Sequence, residues 1–239
     1  MPTMPSLKRL LPIALLLIAA QAFAATPTFV KPADLDVAAM LPPPPALASD
    51  EANRELETVL KLQSARTPAE VNRAKSEAKL TPAAFTSVLG DNFTAANLPT
   101  LFALLTDAAA DSKILSDGAK TQFNRKRPQF VDPHVTPAIE GETDASYPSG
   151  HATRGMLWAC ILSDIAPDKK DALMVRGEEI GWDRIIAGVH FPSDVYAGRI
   201  VGKSVANALG KNADFQGRLA KAKAEYAAFL AKTPAAAMH

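Results

Sequence analysis

Beyond Ser49 the apolar residues fall three and four positions apart, the spacing of one helix face, and this persists nearly to the end of the chain. Ser49 or Asp50 is placed to cap a helix through about residue 65, with Leu56, Val59, Leu60 and Leu62 as its apolar stripe. Thr67-Pro68-Ala69-Glu70 has capping-box form with proline at the first helical position, and Thr81-Pro82 opens another helical segment. A longer helix is predicted over about 98–123, carrying Leu101, Leu104, Leu105 and Ile114. Residues 128–147 hold prolines and acids without a period and read as a loop. Further helices are predicted near 149–165, 169–187 and 192–209, then a polar, Ala- and Lys-rich one near 213–231. No segment shows sustained period-two alternation, so the fold class is all-α: a single-domain globular helical bundle over 49–239. Residues 25–48, with Pro27, Pro32 and the run Pro42 to Pro45, predict an extended, Pro-rich N-terminal arm that wraps or links and adds no core element.

The first residues read as an address. Lys8 and Arg9, the apolar run Leu10 to Ala20 and the small-x-small pattern Ala22-Phe23-Ala24 are the three parts of a signal peptide, residues 1–24. The apolar run is short for a membrane span. A periplasmic or secreted, soluble protein is expected, with no membrane partner after signal removal. Cleavage removes two basic residues and no acidic ones, leaving 24 basic against 25 acidic and a net charge near −1. That balance argues against a nucleic acid polymer as partner. Cys160, the single cysteine, sits in an apolar run and reads as a buried small hydrophobe; it permits no intrachain disulfide and excludes a thiolate-based zinc site. A homo-oligomer is left open.

Three clusters carry candidate chemistry. Lys120 and Arg127 are seven residues apart, two helical turns, which puts both cations on one face near a helix end that Pro128 closes. A solvated surface offers the same pattern. Pro148-Ser149-Gly150-His151 opens an apolar helix, whose unpaired N–H groups and positive dipole end suit an anion. Gly150 lets an oxyanion approach the backbone, and Ser149 adds a hydroxyl; an ordinary Ser N-cap would look alike. The third stretch holds Arg184, His190 and Asp194, with Gly188 breaking one helix and Pro192 starting the next. A carboxylate receiving the imidazole Nδ1–H leaves Nε2 free to attack or to accept a proton.

Lys120-x6-Arg127-Pro128, Pro148-Ser149-Gly150-His151 and Arg184-x5-His190-x3-Asp194 resemble, in order and spacing, the type 2 phosphatidic acid phosphatase superfamily, which includes the vanadium haloperoxidases. The signal peptide and the Leu41-to-Pro45 arm look like its soluble branch, the bacterial class A nonspecific acid phosphatases. The resemblance covers roughly residues 35–210. It implies that Lys120, Arg127, Ser149, Gly150 and Arg184 bind phosphate, that His190 is the nucleophile oriented by Asp194, and that His151 protonates the leaving group. Asp183 stands where the family usually has serine before the arginine, so it is expected to face away or pair with a cation.

Phosphoryl transfer needs positioned cations more than covalent ingenuity, and side chains supply them here without a metal or cofactor. His190 must be neutral to attack and His151 protonated to donate, which suits mildly acidic pH. The expectation is a metal-independent acid phosphatase acting on small phosphate monoesters through a phosphohistidine, with phosphotransferase activity on the side. The alternatives are a vanadate-dependent haloperoxidase and a non-catalytic periplasmic phosphate-binding protein. His134 and the loop acids Asp132, Glu140, Glu142 and Asp144 are expected to be solvated.

Overall fold

Side-chain caps start two of the early helices where the sequence places them. In the computed structural model, which describes residues 26–140 and 142–232, Ser49 accepts the Ala52 N–H ahead of α2 (Asp50–Ala65). Thr67 and Glu70 close a full capping box on α3 (Pro68–Ser76). They follow a four-residue helix, α1 (Val37–Met40). Thr81-Pro82 opens only a 3-10 turn that runs into α4 (Thr86–Leu89). Then come α5 (Pro99–Phe123), α6 (Gly150–Ile165), α7 (Lys170–Ile186), α8 (Pro192–Leu209) and α9 (Ala213–Lys232), with no strand among the described residues. The fold is all-α. The expected signal peptide lies outside the described residues.

α6 is apolar on nearly every side, and such a helix has to be enclosed. Helices α7 and α8 pack along it, α5 covers it further, and α9 lies on α5. The crossing of α8 on α6 is close: a Cβ at Gly198 would stand 2.5 Å from the Ser149 carbonyl oxygen. That proximity brings the start of α8 against the start of α6, where the second and third motifs lie.

The arm departs from expectation. It is irregular apart from α1, but Phe29, Val30, Val37 and Leu41 are buried in the principal core. The buried Asp111 carboxylate, midway along α5, accepts the N–H groups of Thr28, Phe29 and Val30 at 2.7–2.9 Å. Phe29 meets Phe215 of α9 edge-on. Proline content predicted backbone shape; it carried no information about the aromatic and aliphatic residues between the prolines. Cys160 is only partly buried, because its side of α6 lies near Lys203, Asp164 and Lys170. No described helix is long and apolar enough to cross a membrane.

Candidate active site

Five segments meet at the N-terminal end of α6. α5 delivers Lys120 in its last turn, then stops at Asn124, whose left-handed conformation (φ 43°) turns the chain. Arg127 therefore does not share a helix face with Lys120, as its spacing predicted, but lies in extended chain before Pro128. The two still converge, because both bind the same carboxylate. Ser149 caps α6 and its backbone N–H donates to the Asp194 carbonyl at 2.9 Å, joining the second motif to the third. Gly188 (φ 76°) makes the turn after α7 that aims His190 at α6.

His190 and Asp194 are fully enclosed. His190 Nδ1 lies 3.2 Å from Asp194 Oδ2, and Arg127 Nη1 lies 3.1 Å from Nε2. A guanidinium only donates, so Nε2 carries a lone pair and the ring proton sits on Nδ1. The Asp194 carboxylate is held from every side: by Arg125 Nη1 at 2.7 Å, Ser146 Oγ at 2.5 Å and the Phe191 N–H at 2.8 Å. Arg125 also pairs with Glu55 of α2 at 2.7 Å and lies 4.2 Å over the Phe191 ring. Burial raises the Asp194 carboxyl, but His190, Arg125 and Ser146 outweigh it and hold it at about 2. Burial pushes His190 down to about 3, against the opposing pull of Asp194, so its ring is neutral.

Beside His190 is a cavity of about 220 Å³ lined by Lys120, Arg127, Gly150, His151 and Arg154. Ser149 is buried as the N-cap and accepts the Ala152 N–H at 3.4 Å; it does not line this cavity. His151 Nε2 lies 3.1 Å from the Glu77 carbonyl oxygen, which makes Nε2 the protonated nitrogen and turns Nδ1 toward Arg154 Nη2, 3.5 Å away. Burial, then Arg184 and Arg154, lower the His151 pKa well below its ordinary value. Among the described residues no three of His, Cys, Asp and Glu form a group that could hold a metal ion.

The loop acids are not all solvated. Asp144 pairs with Lys120 at 2.8 Å and Arg127 at 2.5 Å, while Glu142 pairs with Arg127 at 3.0 Å and with Arg184. Burial acts to raise the Asp144 carboxyl, and Lys120 and Arg127 overcome it, leaving it at about 2. Three cations at one place, Lys120, Arg127 and Arg184, draw carboxylates from the loop that crosses them. Arg184 still has Nε and Nη1 buried without a hydrogen-bond partner, an uncommon condition for a guanidinium. His134 is exposed and pairs with Asp132 at 2.8 Å. Asp183 makes a bidentate pair with Arg73 of α3, both contacts at 2.6 Å, in line with the expectation that it meets a cation.

Sequence reasoning missed Glu55, Arg125 and Ser146. The one signal was local: Arg125 stands two residues before Arg127 and Ser146 three before Ser149, adjacent to recognised motifs.

Residues 98–214 match the model of the PAP2 superfamily. A non-specific acid phosphatase of Providencia stuartii is 35% identical over 208 residues, 81% of this chain and 82% of that protein. An acid phosphatase of Zymomonas mobilis is 38% identical over 61% of this chain and 57% of that one. Among solved structures, a bacterial vanadium-dependent iodoperoxidase superposes with TM-score 0.54 at 18% identity, covering 72% of this chain and 52% of that one. A transmembrane phosphatidylglycerolphosphate phosphatase of Bacillus subtilis gives 0.50 at 19% identity, with 73% and 89% covered. At those identities the two structures speak for the fold alone. The Providencia relative, similar along most of both chains, and the motifs gathered at one cavity lead to one conclusion: this chain belongs to the PAP2 superfamily, with the bacterial class A nonspecific acid phosphatases.

Proposed function

We propose that the chain is a periplasmic acid phosphatase that hydrolyses small phosphate monoesters through a phosphohistidine on His190. The observation that carries this reading is the lone pair of a neutral, buried His190 Nε2 beside a cavity edged by Lys120, Arg127 and the α6 N-terminus, with unpaired Arg184 N–H groups behind it. Lys120, Arg127, Arg184 and the Gly150 end of α6 take the three non-bridging oxygens and neutralise their charge; Ser149 fixes that helix end as its cap.

His190 Nε2 attacks phosphorus, the bond to the ester oxygen breaks, and His151 gives that oxygen a proton. Asp194 stabilises the charged ring of the phosphohistidine. His151, now neutral, takes a proton from water, whose oxygen attacks phosphorus and releases phosphate and free His190. An alcohol in place of water gives phosphotransfer. His151 is neutral in the free chain, so its proton arrives with the substrate: a bound phosphate offsets the cations that depress it, and a monoanionic ester brings the proton along. That favours acidic pH.

Residues 1–24 act as a signal peptide, the arm 25–48 follows, and the catalytic domain fills 49–239. N-terminal sequencing of the exported protein should begin at Ala25. The chemistry is tested with p-nitrophenyl phosphate: wild type should release phosphate, and rapid quench of 32P-labelled substrate into alkaline denaturant should trap acid-labile label on His190. Phosphate binding without turnover, or label on another residue, would overturn the assignment.

A further inference from the structure

The cavity continues past the phosphate seat between α5 and α6, and its walls hold one cation without an ion pair and one hydroxyl without a hydrogen-bond partner. Arg154 stands one turn beyond His151 on α6, and its Nε reaches back to the Gly150 carbonyl at 3.3 Å. The other cations lining the cavity each have a carboxylate: Lys113 has Asp117, Lys120 has Asp144, and Arg127 has Asp144 and Glu142. Arg154 lines the cavity half-buried with no ion pair among the described residues; Glu142 and Asp117 act on it only from beyond contact distance. On the α5 wall, Ser116 is 2% exposed and its hydroxyl has no hydrogen-bond partner.

The position of Arg154 relative to the reaction follows from His151. Its Nε2 is engaged by the Glu77 carbonyl, so Nδ1 is the nitrogen left to serve the ester oxygen, and Arg154 Nη2 is 3.5 Å from Nδ1. The guanidinium thus borders the alcohol half of the substrate. Such a charge beside the proton donor opposes protonation of His151 unless an anion on the substrate answers it.

We propose that Arg154 and Ser116 form a subsite for a second anionic group on the alcohol half, so that the preferred esters are those of hydroxy acids or of alcohols that already bear a phosphate. The inference rests on the phosphatase reading of the same cavity, and it adds a selectivity which that reading does not require. Arg154 would supply a charge-assisted pair and Ser116 a hydroxyl donor to the same carboxylate or phosphate.

The test uses the mature protein and three phosphonates in titration calorimetry at pH 6. Methylphosphonate probes the phosphate seat alone, phosphonoacetate adds a carboxylate, and methylenediphosphonate adds a second phosphoryl group. Wild type should bind at least one of the two doubly anionic probes about 10–100-fold more tightly than methylphosphonate, the scale of a charge-assisted hydrogen bond. Which of the two is favoured tells a carboxylate substrate from a second phosphate. Arg154→Met should collapse that ratio to within about threefold of one, and Arg154→Lys should restore part of it. The kcat/KM ratio of 2-phosphoglycolate to ethyl phosphate should fall in parallel. Equal ratios in wild type and Arg154→Met would overturn the subsite, as would equal loss on every probe, which would mean that Arg154 acts only through His151. If p-nitrophenyl phosphate is hydrolysed and the three phosphonates bind alike, the phosphatase reading stands and the subsite falls. If none of the three binds, the phosphate seat itself is wrong and the subsite goes with it.

Discussion

Asp144 and Glu142 occupy the cations of the proposed phosphate seat, and the size of that competition follows from their surroundings. Lys120 and Arg127 hold the Asp144 carboxyl at about 2, against 3.8 for a free one. Taken whole, a shift of that size is roughly 2 kcal/mol, at 1.36 kcal/mol for each pKa unit. The Asp144 side chain is 56% exposed, so water screens the pair and about 1 kcal/mol is the fairer figure. A phosphate entering between Lys120 and Arg127 has to displace that carboxylate. Asp144→Asn keeps the shape and removes the charge, so inorganic phosphate should inhibit the variant about fivefold more strongly, and KM should fall to match. The measurement is competitive inhibition at pH 5 and pH 7. The gain should be similar at both, since the carboxylate is ionised throughout that range. If Asp144→Asn weakens phosphate binding, Asp144 is aligning Lys120 and Arg127 for the substrate and does not compete with it.

Other outcomes follow from the same contacts. Prolonged dialysis against a chelator should leave turnover intact, because the charges facing the cavity are side chains; loss restored by zinc or magnesium would contradict this. Asp183→Ser should reduce thermal stability by about 1–2 kcal/mol by stranding Arg73, with little change in kcat, whereas Arg184→Ala should cost about 10²–10³ in kcat/KM. His151→Ala should retain most phosphoenzyme formation from p-nitrophenyl phosphate and lose about 10²–10⁴ on an alkyl phosphate, as the alkoxide needs the proton far more than the phenolate does. In acid the sign is fixed by two groups. The unfolded chain protonates His190 near 6.5 and the fold resists to about 3, so stability falls as pH drops through that window. The Asp194 carboxylate contributes stability above about 3.8 that is lost toward about 2. Calorimetric Tm should therefore decline from pH 7 to pH 4, less steeply in His190→Asn; a flat profile would contradict the burial of a neutral ring.

The proton economy of the site explains why both histidines are enclosed. Exposed imidazoles beside this many cations would still exchange protons with water, and their state would follow the medium. Buried ones follow the charge of what binds beside them. His190 stays neutral because burial and the Arg127 guanidinium at Nε2 outweigh the pull of Asp194, which takes the Nδ1–H. Burial, then Arg184 and Arg154, oppose a proton on His151, and an anion beside it would offset the two cations. Under the proposed mechanism a bound substrate supplies the charge that lets His151 act as the acid, while His190 already carries its lone pair.

What the sequence disclosed divides along one physical line. Helices were legible where apolar spacing met a cap, as at Ser49, Thr67 and Ser149, because both signals are local. The motif residues that line one cavity, Lys120, Arg127, Gly150, His151 and His190, could be singled out because a rare combination of His, Arg and Gly at fixed spacing has few structural uses. Partnerships across the fold were not. Glu55 meets Arg125 from 70 residues away, and Arg73 meets Asp183 from 110. Nothing near Glu55 in the chain distinguishes it from the solvent-facing acids of any amphipathic helix. Lys120 and Arg127 show the reverse case: their helical spacing suggested convergence for the wrong reason. The helix ends at Asn124, and a left-handed turn with a shared Asp144 brings the two cations together instead. Spacing records which side chains can meet along one element. Where elements meet one another, the contact is decided by packing, here by Gly198 letting α8 lie against the Ser149 backbone and so setting Asp194 beside the N-terminal end of α6.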